Sequence, residues 1–326
     1  MKEDPPTPPT GDVDTTSADP ADRPIPPTGD VDAASPDPAN PPIPRTGGRE
    51  RLTPDPVAPP MPPREALAEV RVRAPTRGNR RLEHLLEAVN ADEQVKAWWH
   101  VAAVNASRRL GMSDHSWVHI QIVLNIGLRL ARLLFRRGVT PSVVADYAMS
   151  ERDAEVVVAA GCLMHCVGMS IDRDDHERYS LFLAADKLGS LLSSAYEEPE
   201  RSIIVAEALH AIIGHRRNGA PLTVEAGIVR VADALDMARG RSRVPFEAGH
   251  QNIHSLSAYA IEQVKISPGR DRAVRVEIAM SNSAGIFQVD ELLATKLRGS
   301  GLEQHIEVIA RIEAEQEQRL IPVFRI

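Results

Sequence analysis

The sequence contains only two cysteines in 326 residues, and aromatic residues make up only 4% of it. Cys162 and Cys166 lie four residues apart on one predicted helix, so the chain shows no disulfide framework of a small secreted domain. Because the chain is nevertheless 43% hydrophobic, its core must be packed mainly by aliphatic side chains. This composition favours a helix-rich globular protein in a reducing compartment.

The sequence also has few long apolar stretches. No uninterrupted apolar run reaches the ~18–20 residues that a membrane-spanning helix needs. The N-terminus lacks the basic and then apolar pattern of a signal peptide. We therefore expect a cytoplasmic protein that has no membrane partner.

Excess charge is confined to the N-terminus. The net charge of the chain is −7, and residues 1–44 contain nine acidic side chains against Lys2 and Arg23. Residues 45–326 are therefore formally neutral, which argues against duplex nucleic acid as the main partner. A homo-oligomer is compatible with the sequence.

Residues 1–64 hold 19 of the 26 prolines. Within them, the segment Pro8–Asp14 recurs 18 residues later as Pro26–Asp32. A repeat rich in Pro, Asp, Thr and Ala buries too little apolar surface to fold. We predict that residues 1–64 form a disordered, partly polyproline tail that acts as a spacer, with a docking peptide as the alternative.

Hydrophobic periodicity after this tail predicts a helical domain. The predicted helices span residues 80–90, 92–110, 113–137, 151–165, 176–195 and 201–215, and one more begins at 221–225 and includes Asp233. In the third of them, His115 and His119 are expected on one face, four residues apart. We expect a mainly α fold and assign residues 78–250 to one helical domain.

The pattern changes after residue 250. Residues 260–267 and 274–280 alternate apolar and polar side chains on either side of Pro268 and Gly269, as in a β-hairpin. Residues 290–297 are predicted to be helical, and residues 305–312 and 320–326 are predicted strands. We therefore expect a small α+β accessory domain over residues 251–326.

His165 and Asp233 interrupt stretches that are otherwise apolar. Burying an unpaired imidazole or carboxylate is costly, so each of these side chains must have a partner inside the protein. Further histidines are spread over the predicted helices, namely His115, His119, His176, His210 and His215. Because imidazole and carboxylate groups are common ligands of transition metals, a shared metal site is the best explanation.

The order of these residues resembles the HD-domain superfamily of metal-dependent phosphohydrolases. The resemblance covers residues 110–240 and includes His165-Cys166-Val167-Gly168 and Ala232-Asp233-Ala234-Leu235-Asp236. Residues 214–236 also resemble the later part of the HD-GYP branch, but the chain lacks the Gly-Tyr-Pro triplet of that branch. The resemblance implies an HD-type helical bundle, which the small α+β segment would follow.

The resemblance also implies a set of metal ligands. His119 or His115 would be the first histidine ligand. His165 would match the histidine of the family's His-Asp doublet, and Asp233 would match its final aspartate. The positions at which some branches bind a second metal are matched by His176, His210 and His215. The implied cofactor is a divalent metal, either Zn, Mn, Fe or Mg.

Cys166 stands where the family's doublet has its aspartate. In the family, this aspartate commonly bridges two metals and anchors the nucleophilic water. A thiolate is a softer ligand and favours zinc or another thiophilic metal. Three outcomes are therefore open: one zinc bound with Cys166 as a ligand, weak metal binding with slow hydrolysis, or lost chemistry with retained ligand binding.

By this resemblance, the protein would hydrolyse a phosphate ester of a nucleotide or another small phosphorylated compound by metal-activated water. His165 and Asp233 would hold the metal, and Lys187 or Arg216 would neutralise charge on the phosphoryl group. Other candidates for that charge are Arg217, Arg241 and Arg243. The alternative is a catalytically impaired HD module that senses a ligand. A purely structural scaffold would leave the buried Asp233 unexplained.

Overall fold

The structure is a computed structural model that describes residues 62–238 and 253–312. Both ranges belong to the same structural unit. The predicted tail up to residue 61, the predicted strand 320–326, Arg241 and Arg243 lie outside the described residues. The boundaries predicted for the domains stay predictions.

Helices make up most of the described chain and confirm the mainly α prediction. They are α1 (Pro63–Ala68), α2 (Arg80–Ala91), α3 (Glu93–Ala103), α4 (Trp117–Arg136), α5 (Ser142–Tyr147), α6 (Glu151–Met164), α7 (His176–Leu191), α8 (Glu200–Gly214) and α9 (Val224–Leu235). A π-helical turn, Val104–Arg109, continues α3, and a 3₁₀ turn, Val167–Ser170, follows α6.

Side-chain caps explain where several of these helices begin. Asn79 accepts a hydrogen bond from Leu82 N at the start of α2. Thr223 accepts one from Ala226 N at the start of α9. Such caps satisfy amide groups that have no partner within the helix, so they define helix starts from local sequence.

Helix α4 begins later than its predicted start. Its N-cap is Ser116, whose Oγ accepts a hydrogen bond from Val118 N at 3.1 Å. Asp114 stabilises this cap, because its carboxylate accepts hydrogen bonds from both the amide and the hydroxyl of Ser116. The prediction that His115 shares a helical face with His119 is therefore wrong, since His115 precedes the helix.

Helix α6 is the centre of the helical core. Every residue from Val156 to Met164 is buried, and the helix packs against α4, α8 and α9. Gly161 permits this close packing, because a Cβ atom there would lie only 2.9 Å from Val229 Cγ2. Helix α4 and residues 151–170 are long and apolar enough to span a membrane by length and composition alone. Both are mostly buried inside the protein, as core helices are.

The C-terminal part of the described chain contains a three-stranded sheet. After α10 (Ile253–Tyr259), strands β1 (Ile261–Pro268) and β2 (Val274–Met280) form the predicted antiparallel hairpin. A π-helical turn, Gln288–Ala294, leads into the short helix α11 (Thr295–Leu297). Strand β3 (Ile306–Ile312) then pairs parallel to β2, and α11 packs against α9.

Candidate metal centre

Five buried histidines form a closed ring beside the end of α6. Neighbouring imidazole centroids lie between 4.9 and 6.4 Å apart. The order around the ring is His115, His119, His165, His215 and His176. These side chains come from the loop before α4, from α4, and from the ends of α6, α8 and α7, so the helical packing brings them together.

Asp233 reaches this ring from α9. Its Oδ1 lies 3.5 Å from His119 Nε2 and 3.6 Å from His165 Nε2. The two Nε2 atoms themselves lie 3.1 Å apart. The donor atoms of His165, His215 and Asp233 all lie within 4.8 Å of one another, which is close enough to share one metal ion.

Each ring histidine is oriented by an oxygen atom at its Nδ1. His119 Nδ1 lies 2.6 Å from Asp236 Oδ2. The other four face backbone carbonyl oxygens, in the pairs His115–Ser113, His165–Cys162, His176–Arg173 and His215–Ile212. An Nδ1–H that donates to an oxygen leaves Nε2 available as the metal-binding atom. The surrounding oxygens therefore prepare the five rings to ligate through Nε2.

The charge states of these histidines differ. Burial lowers the pKa of His176 to about 4 and that of His215 well below its usual value, so both are neutral near pH 7. At His165, burial again disfavours the charged form, but Cys166 and Asp233 outweigh it and raise the pKa to about 10. The proton held on His165 can then donate to His119 Nε2, where two acceptors would otherwise face each other.

These residues fit a divalent metal. The facing Nε2 atoms of His119 and His165, with the Asp233 carboxylate beside them, need a positive charge between them. A proton supplies that charge in the metal-free protein, and metal binding at this point would release it. Imidazole nitrogen and carboxylate oxygen both ligate zinc and other transition metals, so the donor set suits such an ion.

Cys166 lies in the same group of donors. Its thiol sulfur, with a nitrogen of His119 and one of His165, forms a second set of atoms within 4.8 Å of one another. The residue is only 1% exposed and directly follows His165 at the end of α6. The structure thus places a potential sulfur donor at the position where, by the resemblance, the family's His-Asp doublet has its aspartate.

Gly168 brings the start of α7 close to this point. A Cβ atom at Gly168 would overlap the backbone oxygen of His176. The amide of Gly168 instead donates to Ser180 Oγ at 2.9 Å. This contact places His176 in the ring, where it forms a further possible ligand group with His215 and Glu177.

Three of the predicted site residues make other contacts. His210 Nε2 accepts a hydrogen bond from Leu222 N at 2.9 Å, and Lys187 Nζ pairs with Asp92 at 2.8 Å. The guanidinium of Arg216 donates to Ile213 O at 3.2 Å. Among the described residues, these contacts do not include a ring histidine or Asp233, so the catalytic or ligand roles of these three residues stay predictions.

Sequence reasoning missed the roles of Asp236, Glu177 and Lys296. Asp236 lies three residues after Asp233, so helical spacing alone could have indicated that it approaches the same histidines. Glu177 follows His176 directly, and its Oε2 lies 3.3 Å from His176 Nδ1. Lys296 Nζ donates to Asp233 Oδ2 across 63 residues of sequence, and no local pattern indicates this pair.

Comparison with known proteins supports a family assignment. The family model described as HD domain matches residues 114–238, a range that includes all five ring histidines and Asp233. An uncharacterized protein of Methanocaldococcus jannaschii is 37% identical over 233 residues, which cover 72% of this chain and 88% of the relative. No solved structure matches the chain. The motifs, the site and these similarities together show that the chain belongs to the HD-domain superfamily, whose members bind divalent metals and include metal-dependent phosphohydrolases.

Proposed function

We propose that this protein hydrolyses a phosphate ester of a small compound, with a nucleotide as the first candidate. The observation that carries the proposal is the convergence of His119, His165 and Asp233 on one buried point. Histidine and carboxylate ligands of this kind hold the metal in many hydrolytic sites. We place the protein in the cytoplasm, where the small phosphorylated compound would be its partner.

The side chains would have separate roles in this reaction. His119, His165 and Asp233 would hold the metal, with Cys166 as a further ligand. A bound divalent metal supplies Lewis-acid polarisation of phosphoryl oxygen and a lowered pKa for water. Asp236 would keep His119 in the tautomer that ligates through Nε2, by accepting from Nδ1. His215, which is neutral near pH 7, would present an unprotonated Nε2 to the centre.

The donor set favours a thiophilic metal, and we propose zinc as the first candidate among Zn, Mn, Fe and Mg. Magnesium prefers oxygen ligands, whereas this centre is built mainly from imidazole nitrogens with a neighbouring thiol. Among the described residues, His176 and His215 with Glu177 offer a second group for an additional ion.

Metal analysis combined with a phosphatase screen tests the proposal. The purified full chain would be analysed for bound metal by mass spectrometry and for phosphate release from a panel of nucleotides and other phosphate esters. Asp233→Asn is expected to lose both metal and turnover, because it weakens the central carboxylate ligand. Asp153→Asn is the matched control, since Asp153 is buried at the other end of α6 and pairs with Arg81.

The control variant should keep its metal and its turnover while losing some stability. If the wild-type protein contains no metal and releases phosphate from none of the esters, the proposed hydrolysis is wrong. Turnover that persists in Asp233→Asn would show that the reaction occurs elsewhere.

A ligand-sensing module with impaired catalysis is the second candidate. Cys166 favours it, because a thiol replaces the carboxylate that could bridge two hard cations. If the wild-type protein is inert and Cys166→Asp restores metal-dependent hydrolysis, this second function is supported. If Cys166→Asp changes neither the metal stoichiometry nor the rate, Cys166 has no part in the centre.

A further inference from the structure

Lys296 brings a positive charge to Asp233 from a part of the chain beyond the HD-domain match. The match ends at residue 238, whereas Lys296 belongs to α11. Its Nζ donates to Asp233 Oδ2, while Asp233 Oδ1 faces the histidines His119 and His165. Only 17% of the Lys296 side chain and 12% of the Asp233 side chain are exposed. The two oxygens of the Asp233 carboxylate thus face different groups, one the Lys296 ammonium and the other the histidine nitrogens.

Arg230 holds the backbone around Lys296 in place. This residue of α9 is 2% exposed, and its Nε donates to Lys296 O at 2.8 Å. Its Nη2 donates to Arg217 O at 2.6 Å, and its Nη1 donates to Arg216 O. Among the described residues, its hydrogen bonds all go to backbone carbonyls. Arg230 therefore ties α11 to the end of α8 and leaves the Asp233 carboxylate to Lys296.

Gly227 allows the following segment to lie directly against α9. A Cβ atom at Gly227 would overlap Ser300 O and lie 3.4 Å from Leu302 Cγ. Both Ser300 and Leu302 are buried there. Because Gly227, Arg230 and Asp233 are spaced three residues apart, they share one face of α9. Residues 295–302 are therefore docked beside the metal-binding carboxylate by the same helix that carries it.

A lysine at this position changes the condition for metal binding. A divalent cation needs the same carboxylate, and two positive charges next to one carboxylate repel each other. Both side chains are mostly shielded from solvent, so salt screens this repulsion weakly. The metal must either displace the ammonium from Asp233 or bind with lower affinity beside it.

We propose that Lys296 is a built-in competitor of the metal at Asp233 and that it sets the metal affinity of the centre. Docking of residues 295–302 on α9 places the competitor. In the metal-free protein, Lys296 neutralises Asp233; in the metal-bound protein, its ammonium has left Oδ2. This inference rests on the proposed metal ligands His119, His165 and Asp233, and it is independent of whether the bound metal hydrolyses anything.

Calorimetric titration of the metal-free full chain with Zn²⁺ measures this competition. Lys296→Gln removes the ammonium and therefore its repulsion of the metal ion. Because close charge pairs interact by more than the ~1.4 kcal/mol that equals ~10-fold in Kd, we expect the Kd for Zn²⁺ to fall by at least ~10-fold. Lys296→Arg keeps the charge and should stay within ~3-fold of the wild-type Kd. Lys265→Gln is the matched control, because Lys265 lies on β1 with its Nζ 3.9 Å from Glu277. Its Kd should equal that of the wild type.

Gly227→Ala tests the placement of the lysine without changing any charge. The added Cβ pushes Ser300 away from α9, so Lys296 should hold Asp233 less firmly. We expect the Kd for Zn²⁺ to fall as it does in Lys296→Gln, but by a smaller factor. This variant also provides the measurement if Lys296→Gln folds poorly.

Each outcome has a definite meaning. An unchanged or higher Kd in Lys296→Gln overturns the inference, and so does failure of both this variant and the wild type to bind Zn²⁺. Tighter binding without turnover of any phosphate ester supports the inference and contradicts only the proposed hydrolysis. Turnover by a wild-type protein whose Kd is unaffected by Lys296→Gln overturns the role of Lys296 and leaves the hydrolase intact.

Discussion

The two ends of helix α6 both carry buried polar groups, but these groups are paired in opposite ways. At the N-terminal end, the Asp153 carboxylate accepts hydrogen bonds from the Ser150 and Tyr196 hydroxyls, each at 2.7 Å, and pairs with Arg81. At the C-terminal end, the Nε2 atoms of His119 and His165 face each other. At the N-terminal end, the carboxylate acceptor of Asp153 is therefore paired with hydrogen-bond donors. At the C-terminal end, two imidazole nitrogens that can both accept lie against each other.

This difference separates stability from function within one helix. A carboxylate that has donors on every side is stable as it stands and has no need of a ligand. A group of acceptors in a buried place needs a cation, which can be a proton, a lysine or a metal ion. At the C-terminal end, a proton on His165 and the ammonium of Lys296 supply this positive charge in the metal-free protein. A metal ion can take their place, which makes this end a binding site.

The largest effect is expected from His165→Ala, which breaks the C-terminal end. Because loss of an outer partner of a ligand alone costs ~10–100-fold in metal affinity, loss of the ligand itself should cost at least ~100-fold. Competition with a chromogenic chelator would measure the affinity for Zn²⁺. His84→Ala is the control, since His84 is exposed on α2 and lies outside the ring. Equal affinities of the two variants would contradict this assignment.

Breaking the N-terminal end should change stability instead. Asp153→Ala leaves the Tyr196 hydroxyl and the Arg81 guanidinium without their buried acceptor, so the free energy of unfolding should fall by about 3 kcal/mol. Denaturant unfolding of the metal-free protein would measure it. Arg178→Ala is the control, because the Asp175–Arg178 pair is mostly exposed and should contribute less than ~0.5 kcal/mol.

Metal affinity should be unaffected by Asp153→Ala. A loss of metal together with stability would show that the two ends of α6 are not independent. That result would remove the distinction between them.

A smaller effect on metal binding is expected from Asp236→Asn. The Asp236 carboxylate orients His119 through Nδ1, so its loss should weaken Zn²⁺ binding by ~10–100-fold while the ligands stay in place. The same chelator competition would measure the change. An affinity equal to that of the wild type would mean that His119 is oriented by the surrounding packing alone.

The smallest effect concerns the pH dependence at the N-terminal end. Burial would raise the pKa of Asp153, but its hydrogen bonds from Ser150 and Tyr196 and its pairing with Arg81 outweigh burial and hold it below the usual 3.8. A depressed folded-state pKa contributes stability above 3.8, and this contribution is lost as the pH falls through the folded value.

The stability difference between the wild type and Asp153→Ala should therefore be constant near neutral pH and shrink below about pH 4. Unfolding curves of both proteins at several acidic pH values would test this. A stability difference that grows as the pH falls would contradict a lowered pKa of Asp153 in the folded protein.

Much of the fold could be predicted because its signals are local. The continuous apolar run of residues 156–164 predicts a buried helix, and the alternation on either side of Pro268 predicts a hairpin. The structure contains both. The start of α4 could not be read correctly, because Ser113, Asp114 and Ser116 are all acceptable caps. The structure selects Ser116, since Asp114 is used to stabilise that cap.

The sequence predicted that a metal site exists, but it did not predict all of the residues that form it. Buried polar residues such as His165 and Asp233 are conspicuous in sequence, because their burial requires compensation. The cation that compensates Asp233 is Lys296, whereas the sequence suggested Lys187, which pairs with Asp92. The sequence around each lysine does not indicate which of the two pairs with Asp233.

The amino-acid sequence by itself determined the order of the helices, the buried positions of His165 and Asp233 and the resemblance to HD domains, because these depend on spacing along the chain. The tertiary structure alone decided which groups meet. His119 contacts Asp236 across 117 residues, and Lys296 contacts Asp233 across 63. Such pairs depend on how α4, α9 and α11 pack, and packing is a property of the whole core rather than of any one segment.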